Sequence, residues 1–591
     1  MKPILTAILI FTTTILAGQV QVNFQLKCPP ASSYKYVGIR GNTPPLSWEK
    51  SMILKPEEGV FTTSLSFAPS SKTIEYKYVL FDKDQAPVWE SLDNRKLKLV
   101  EEANLTLEET WDKMFIDISK LEVLKSSDLM KDFELIRSMI LEVHPGTYRY
   151  RSPAEVEVCL QELKQKFQSD LSHQEAYLAI SKVLAFIQCD HTFASFYNQS
   201  PLLKAIIHEQ KDKVPFTFSW IDDKMMVELD ASDHKLAAGT EIIKINEPPV
   251  KEILDTLMLY AKADGATDKS RIKQLEVKGY PYRHNAFDVF YPILYPSDQS
   301  FQLLIKKPDG SRRTISVSAT TRELRAQNLK DRYPDFAFEK EKLWGYQLLE
   351  PKIGLLKAGT FDDYGMNLDW NKYFKETFSN IKKDKVEHLI VDLRENQGGF
   401  DEIGVGLIRH LIKESGRAYG FASKSRYQNF PNTLKSHAQS WGEPWFHQMD
   451  VISEKDEEGY FLLAAAEEES EKVTPAKNAF QGEVYFLVSP NNVSMAFYLA
   501  TAIKDNKIGV LIGEETGGNQ RGINGGQILF LRLPNSQIEI DFPVEGAFNT
   551  AVAVPNKGVL PDYLIPTSVE DIIQGRDPQL AKALELAKNA Q

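Results

Sequence analysis

Cysteine is nearly absent from this chain: Cys28, Cys159 and Cys189 are the only three in 591 residues. With no C-x-x-C pair among them, a disulfide framework and a cysteine-built metal site are both excluded, and the odd number leaves at least one thiol free. Beyond the N-terminus no stretch of about 18 apolar residues occurs, so no transmembrane segment is expected in a mature chain. An excess of basic residues is missing too. The 70 Lys+Arg stand against 81 Asp+Glu, a net charge of −11, which argues against nucleic acid as a general partner. Internal repeats and low-complexity tracts are also lacking, which excludes a solenoid and long flexible linkers. What remains is globular in composition, with 42% hydrophobic and 26% charged residues. At roughly 150 residues per domain the length predicts about four domains.

The first residues, MKPILTAILIFTTTILAG, place Lys2 before a short apolar run from Ile4 to Leu16 and end on the small residues Ala17 and Gly18. This is the pattern of a secretory signal peptide over 1–18, so the protein is expected to be exported, periplasmic or secreted. Residues 19–112 follow as strand-forming segments (YKYVGIRG, VFTTSLSF, IEYKYVLF) separated by Pro, Asn, Gly and Asp, a pattern that predicts a β-sandwich. Over 113–200 the apolar residues recur at three and four positions, which predicts a helical domain, including a helix at 173–187. Residues 210–320 return to short strands around one helix. From 335 to 570 strands alternate with helices, predicting a largely parallel sheet, and 571–591 reads as a C-terminal helix.

Two strand-to-helix junctions in the 335–570 region carry candidate chemistry. In HLIVDLRENQGGFDEIGVGLIRHLI a buried strand runs into Gly398-Gly399 and then a helix; paired glycines allow a tight turn with N–H groups pointing outward, a means of stabilising an oxyanion. In GEVYFLVSPNNVSMAFYLATAIKDN a strand ends at Ser489-Pro490 and a helix starts near Ser494, where free N–H groups and the helix dipole favour developing negative charge. A serine opening a helix is very commonly only a cap, so that segment alone does not establish a nucleophile.

Together the junctions resemble the tricorn and C-terminal-processing serine peptidases. DLRENQGG at 392–399, NNVSMAFYLATAIKDN at 491–506, IGEETGG at 512–518 and GVLPDYLIP at 558–566 carry the resemblance, which spans about 120–590. It implies a ClpP/crotonase-like α/β core, Ser494 as nucleophile, and an oxyanion hole from the backbone of Met495 and the Gly398/Gly399 turn. It implies no metal and no organic cofactor. Processing proteases use a lysine base, but that position is Asn519 here, and an amide cannot take a proton. The tricorn branch uses a histidine from an upstream helical domain, which matches His191 in QCDHTF. A histidine base predicts a rate rising with pH through about 6.5. His144, in LEVHPG, reads as a capping residue. The acid that would steady His191 stays open among Asp190, Glu514 and Glu545, because the family's glutamate falls at Pro555.

Two further resemblances flank this core. LAAGTEIIKINEPPV at 236–250 is similar to a PDZ-like domain, a module that takes an extended peptide as an added strand. VGIRGNTPPLSWEK, IEYKYVLFD and VWESLDNR resemble a glucoamylase-type starch-binding module of family 20. That implies Trp48 and Trp89 as stacking platforms for α-glucan, with Lys77, Glu90 and Asn94 as hydrogen-bonding groups. The alternative is that both tryptophans belong to the sandwich core. The reading that best joins these observations is a multidomain exported serine endopeptidase acting on protein or peptide substrates. The competing one is an inactive peptidase-like protein that binds carbohydrate or peptide. A cysteine peptidase built on Cys189 lacks a helix N-terminus and an oxyanion loop beside the thiol, and no paired carboxylates mark a glycosidase.

Overall fold

The computed structural model describes residues 20–28, 35–57, 60–68, 73–81, 88–90, 94–98, 104–111, 121–297, 299–417, 421–441, 444–464, 472–549, 551 and 553–590. The expected signal peptide at 1–18 lies outside them. The chain divides into two units, Met1–Leu121 and Glu122–Gln591.

The first unit is a pair of sheets. One runs Lys55–Glu57, Val60–Phe67, Val20–Lys27, Asn104–Thr110; the other runs Met52–Ile53, Tyr36–Gly41, Thr73–Phe81, Val88–Trp89, with Arg95–Lys98 also pairing on Thr73–Phe81. Alternation builds the core: Val20, Val22, Phe24 and Leu26 from one sheet meet Ile74, Tyr76, Tyr78 and Leu80 from the other.

The second unit begins with three helices, Ser126–Ser138, Pro153–Phe167 and His173–Phe186; Ser152 and Ser172 each close a capping box, with Glu155 and Glu175. A five-stranded antiparallel sheet follows in sequence order, Phe216–Ile221, Lys224–Asp230, Glu241–Ile245, Ser300–Lys306 and Arg312–Ser318. Three helices accompany it, Val250–Leu257, Asp268–Gln274 and Ala286–Leu294, where the sequence predicted one. The last is short and apolar on nearly every side (Ala286 to Tyr291 are all buried), so it shows no helical period to read.

The remaining core is a six-stranded sheet in the order Trp344–Glu350, Ile353–Ala358, His388–Asp392, Glu483–Val488, Val510–Gly513, Tyr563–Leu564, parallel except at its first pair. It is buried on both faces, as parallel sheets are. Leu389, Val391, Phe486 and Val488 face one layer with Met495, Leu499 and Ile403. Ile390, Tyr485 and Leu487 face Ala583 and Ala587 of the last helix. The expected helix over 571–591 is two helices, Val569–Gln574 and Pro578–Asn589; Gly575 at φ +60 ends the first, and Asp577 caps the second ahead of Pro578.

The alternating pattern did not reveal a second, antiparallel sheet, Ala438–Gln439, Gly526–Arg532, Glu539–Asn549, Phe421–Ser425, Phe461–Leu462. The two-residue strand Phe193–Ala194 adds to it, pairing Phe193 with Asp541 and Ala194 with Ile540. Tyr177 Oη donates to Ala194 O, Ser195 Oγ to Asp541 Oδ2 at 3.1 Å, and Gln199 Nε2 to Glu539 O at 2.8 Å. These bonds stitch the end of the helical region onto the core, two residues beyond His191.

Candidate active site

Ser494 is the first residue of the helix Ser494–Asp505 and holds φ at +51, a left-handed conformation that costs a non-glycine residue about 1–2 kcal/mol. The surroundings enforce it. Asn492, fully buried, donates through Nδ2 to Leu393 O (2.6 Å) and Asn396 O (3.0 Å) and accepts from Ser489 N–H (2.8 Å). Asn396, also fully buried, donates to Ala358 O at 2.7 Å and accepts the Gly398 N–H at 2.8 Å. The two asparagines tie one strand-to-helix loop to the other. Both lie within the motifs, but in one sequence they look like ordinary turn residues.

Gly398 and Gly399 turn at φ +94 and +136, and neither has room for a side chain. A Cβ on Gly398 would lie 2.6 Å from Ser494 Cβ and 2.9 Å from Met495 N; one on Gly399 would lie 2.1 Å from the Phe361 carbonyl carbon. The turn therefore presses directly on the serine. The Gly398 N–H is taken by Asn396, so this glycine contributes closeness rather than a donor. Met495 N–H lies in the helix's first turn, where the helix supplies no acceptor.

His191 lies in the loop after His173–Phe186, fixed by the added strand beyond it. Its ring rests on Gly525, where a Cβ would come within 2.8 Å of Cε1. Nδ1 is buried with no hydrogen-bond partner. Burial, with Lys262 adding to it and Asp190 opposing it, lowers the imidazole to about 4 rather than the 6.5 expected from sequence, so the ring is neutral at pH 7. His144 supports the same loop: Nδ1 accepts the Gly146 N–H at 3.0 Å and Nε2 meets Thr192 Oγ1 at 2.6 Å. A cavity of about 80 Å³ is lined by sequence neighbours of the candidate residues: Asp190, which precedes His191, Val493, which precedes Ser494, and Gln397, which precedes the Gly-Gly turn.

The three acids read as orienting groups all have other partners. Asp190 accepts from Gln274 Nε2 at 2.8 Å and pairs with Lys262 at 3.5 Å, while Glu514 pairs with Lys269 at 3.6 Å on the wall of a larger cavity of about 970 Å³. Glu545 accepts a short hydrogen bond from Ser423 Oγ. Asn519, where the sequence resemblance placed a lysine, donates to Asp264 O at 3.2 Å and Asn556 Oδ1 at 2.7 Å.

In the sandwich, Trp48 and Trp89 lie with ring centroids 6.3 Å apart, Trp89 being 38% exposed, and Asn94 Nδ2 donates to Glu75 at 3.3 Å. Lys77 is half-buried on Thr73–Phe81. Glu90 departs from its expected role. It is buried, its carboxylate is paired with Arg95 at 2.5 Å, and it accepts the Tyr78 N–H at 2.9 Å; this is a structural ion pair, not a group turned to a ligand.

Comparison with known proteins agrees with this division. Residues 352–565 match the model described as Peptidase family S41, and residues 19–109 the one described as Starch binding domain. No curated protein matches the chain. Among solved structures, mature CPAF complexed with lactacystin is similar over 79% of this chain and 98% of its own, at 14% identity and a TM-score of 0.56. Mature CPAF gives 78%, 97%, 15% and 0.55 in the same terms, a likeness of fold. The photosystem II D1 C-terminal processing protease matches 77% of this chain and 98% of its own at 16% identity, with a TM-score of 0.35.

Proposed function

We propose, for a serine peptidase whose residues 352–565 belong to family S41 and whose residues 19–109 are a starch-binding domain, that Ser494 and His191 hydrolyse protein or peptide substrates through an acyl-enzyme. One observation carries the reading: Ser494 is held at φ +51 on a helix N-terminus, pressed against a glycine turn that admits no side chain. His191 takes the Oγ proton as the oxygen attacks the scissile carbonyl. The resulting oxyanion is met by the Met495 N–H and, from the glycine turn, by the Gly399 N–H, since the Gly398 N–H is held by Asn396. His191 then gives the proton to the leaving amine, and water, deprotonated by the same imidazole, releases the acid product and restores Ser494. No cofactor enters these steps.

The core is of the ClpP/crotonase type in this reading, and the five-stranded module at 216–318 is PDZ-like. The small cavity and the large one share Lys273, Glu276, Lys278 and Asn491 on their walls, which supports a substrate path passing that module on its way to Ser494. The signal-like N-terminus supports export, to the periplasm or beyond. The paired tryptophans support an α-glucan anchor. Labelling by an organophosphonate tests the chemistry: wild type should react at Ser494 and lose activity, and Ser494→Ala should do neither. Hydrolysis at an unchanged rate by Ser494→Ala would reject the proposal.

A further inference from the structure

Asp190, Glu514 and Glu545 are all engaged elsewhere, and a buried carboxylate that the motifs do not mark lies near His191. Asp264 follows the helix Val250–Leu257 in the segment KADGATD and is fully buried. One carboxylate oxygen, Oδ1, accepts the Asp190 N–H at 3.0 Å. The other, Oδ2, is buried without any hydrogen-bond partner, and so is His191 Nδ1. A ring nitrogen of His191, a carboxylate oxygen of Asp264 and Cys189 Sγ all lie within 4.8 Å of one another. Cys189 is already engaged, its thiol donating to Asn524 O at 3.5 Å. An unsatisfied buried ring nitrogen and an unsatisfied buried carboxylate oxygen on residues this near to each other are each costly alone and complementary together, since an imidazole N–H donates and a carboxylate accepts.

The backbone around Asp264 is clamped to the same loop. Gly265 N–H donates to Gln188 O at 3.1 Å, so the 264–265 turn and the 188–191 loop are held from both sides of the carboxylate. Asn519 fixes the Asp264 carbonyl, and a Cβ on Gly265 would meet Asn519 Nδ2 at 2.5 Å. Asn519 therefore anchors the aspartate's turn.

Resting on the Ser494–His191 reading, we infer that Asp264 is the positioning residue of the catalytic unit: it accepts the Nδ1–H of His191, fixes the tautomer that leaves the Nε2 lone pair for Ser494, and stabilises the imidazolium formed in the reaction. Burial, with the charge of Asp190 adding to it and the Asp190 N–H, Arg149 and Lys262 opposing it, raises the Asp264 carboxyl to about 8. With Oδ1 accepting the Asp190 N–H, the proton of the acid form sits on Oδ2 and donates to Nδ1, which favours the opposite tautomer. Activity should therefore climb as pH passes through about 8.

The test compares kcat and KM from pH 5 to 10 for wild type, Asp264→Asn, Asp264→Glu, His191→Ala and Ser494→Ala. Asp264→Asn should lower kcat by roughly 10²–10⁴-fold with little change in KM, because the amide favours the wrong tautomer. It should also abolish the rise near pH 8, and Asp264→Glu should recover part of both. A merely structural role would lower thermal stability and rate together and leave the pH profile in place. An Asp264→Asn enzyme that keeps wild-type kcat and the same profile overturns the inference. Undiminished activity in His191→Ala or Ser494→Ala would instead overturn the underlying reading. A second measurement needs no variant to fold well. In ¹⁵N-histidine-labelled wild type at pH 9, the hydrogen-bonded Nδ1–H of His191 should give a far-downfield proton resonance, and a Nδ1 that carries no proton at that pH refutes the inference.

Discussion

Gly525 offers a direct probe of His191, because the three atoms nearest a methyl group placed there all belong to the imidazole. An added Cβ would lie 2.8 Å from Cε1, 3.1 Å from Nε2 and 3.2 Å from Nδ1. Ordinary contact begins near 3.4 Å, so the ring must retreat by about 0.6 Å (3.4 − 2.8). Misplacing a reacting group by about 1 Å can cost about 10²-fold in rate. Gly525→Ala should therefore lower kcat/KM by about 10- to 100-fold, or about 1.4–2.7 kcal/mol of transition-state stabilisation. The fold should tolerate the change. Gly525 does not adopt a positive φ, and the displaced atoms end a side chain, so the gain from a stiffer unfolded chain, about 0.4–1 kcal/mol, offsets part of the strain. The assay is hydrolysis of a fluorogenic peptide beside the rate of organophosphonate labelling of Ser494, with thermal unfolding followed in parallel. Gly345→Ala, where a Cβ meets nothing within 4 Å, is the control and should leave the rate unchanged. If Gly525→Ala hydrolyses peptide at the wild-type rate, His191 is not the base.

Three further outcomes follow from particular contacts. Ser494→Gly should abolish hydrolysis yet raise stability by about 1 kcal/mol in chemical denaturation, because glycine adopts φ +51 without strain; a less stable variant would contradict the enforced geometry. Burial lowers His144 to about 3, so the fold favours its neutral form; this stability is complete above about 6.5 and is lost as pH falls toward 3. At pH 5 the cost is about 2 kcal/mol (1.5 pH units at 1.36 kcal/mol each), and His144→Gln should flatten the dependence of unfolding free energy on pH between 6 and 4. In the sandwich, Trp89→Ala should remove maltooligosaccharide binding followed by tryptophan fluorescence, whereas Glu90→Gln should lower stability and spare binding, since Glu90 serves Arg95 and Tyr78; loss of binding with unchanged stability in Glu90→Gln would return it to the ligand site.

The sequence by itself determined what depends on neighbours along the chain. Apolar residues at every second position specified the sandwich strands. Apolar residues at three- and four-residue spacing marked the helices before His191, and the strand-to-helix order around Gly398 and Ser494 marked the two junctions. These are local rules of backbone and side-chain spacing, so one chain suffices to read them. The tertiary structure alone decided which distant groups meet. His191 was legible as a candidate, but what fixes its loop is a two-residue strand, Phe193–Ala194, added to a sheet whose other members begin after residue 420. Asp264 lies 73 residues beyond His191 in a segment with no motif, and it becomes relevant only because Gln188, Asp190 and Asn519 hold its turn against that loop. Glu90 failed as a sugar-reading group for the same reason: its type and position along the chain are unchanged, but Arg95 and the Tyr78 N–H fold over it. Protonation followed the same division, because the shift of His191 from 6.5 to about 4 comes from burial, which no single segment of sequence specifies.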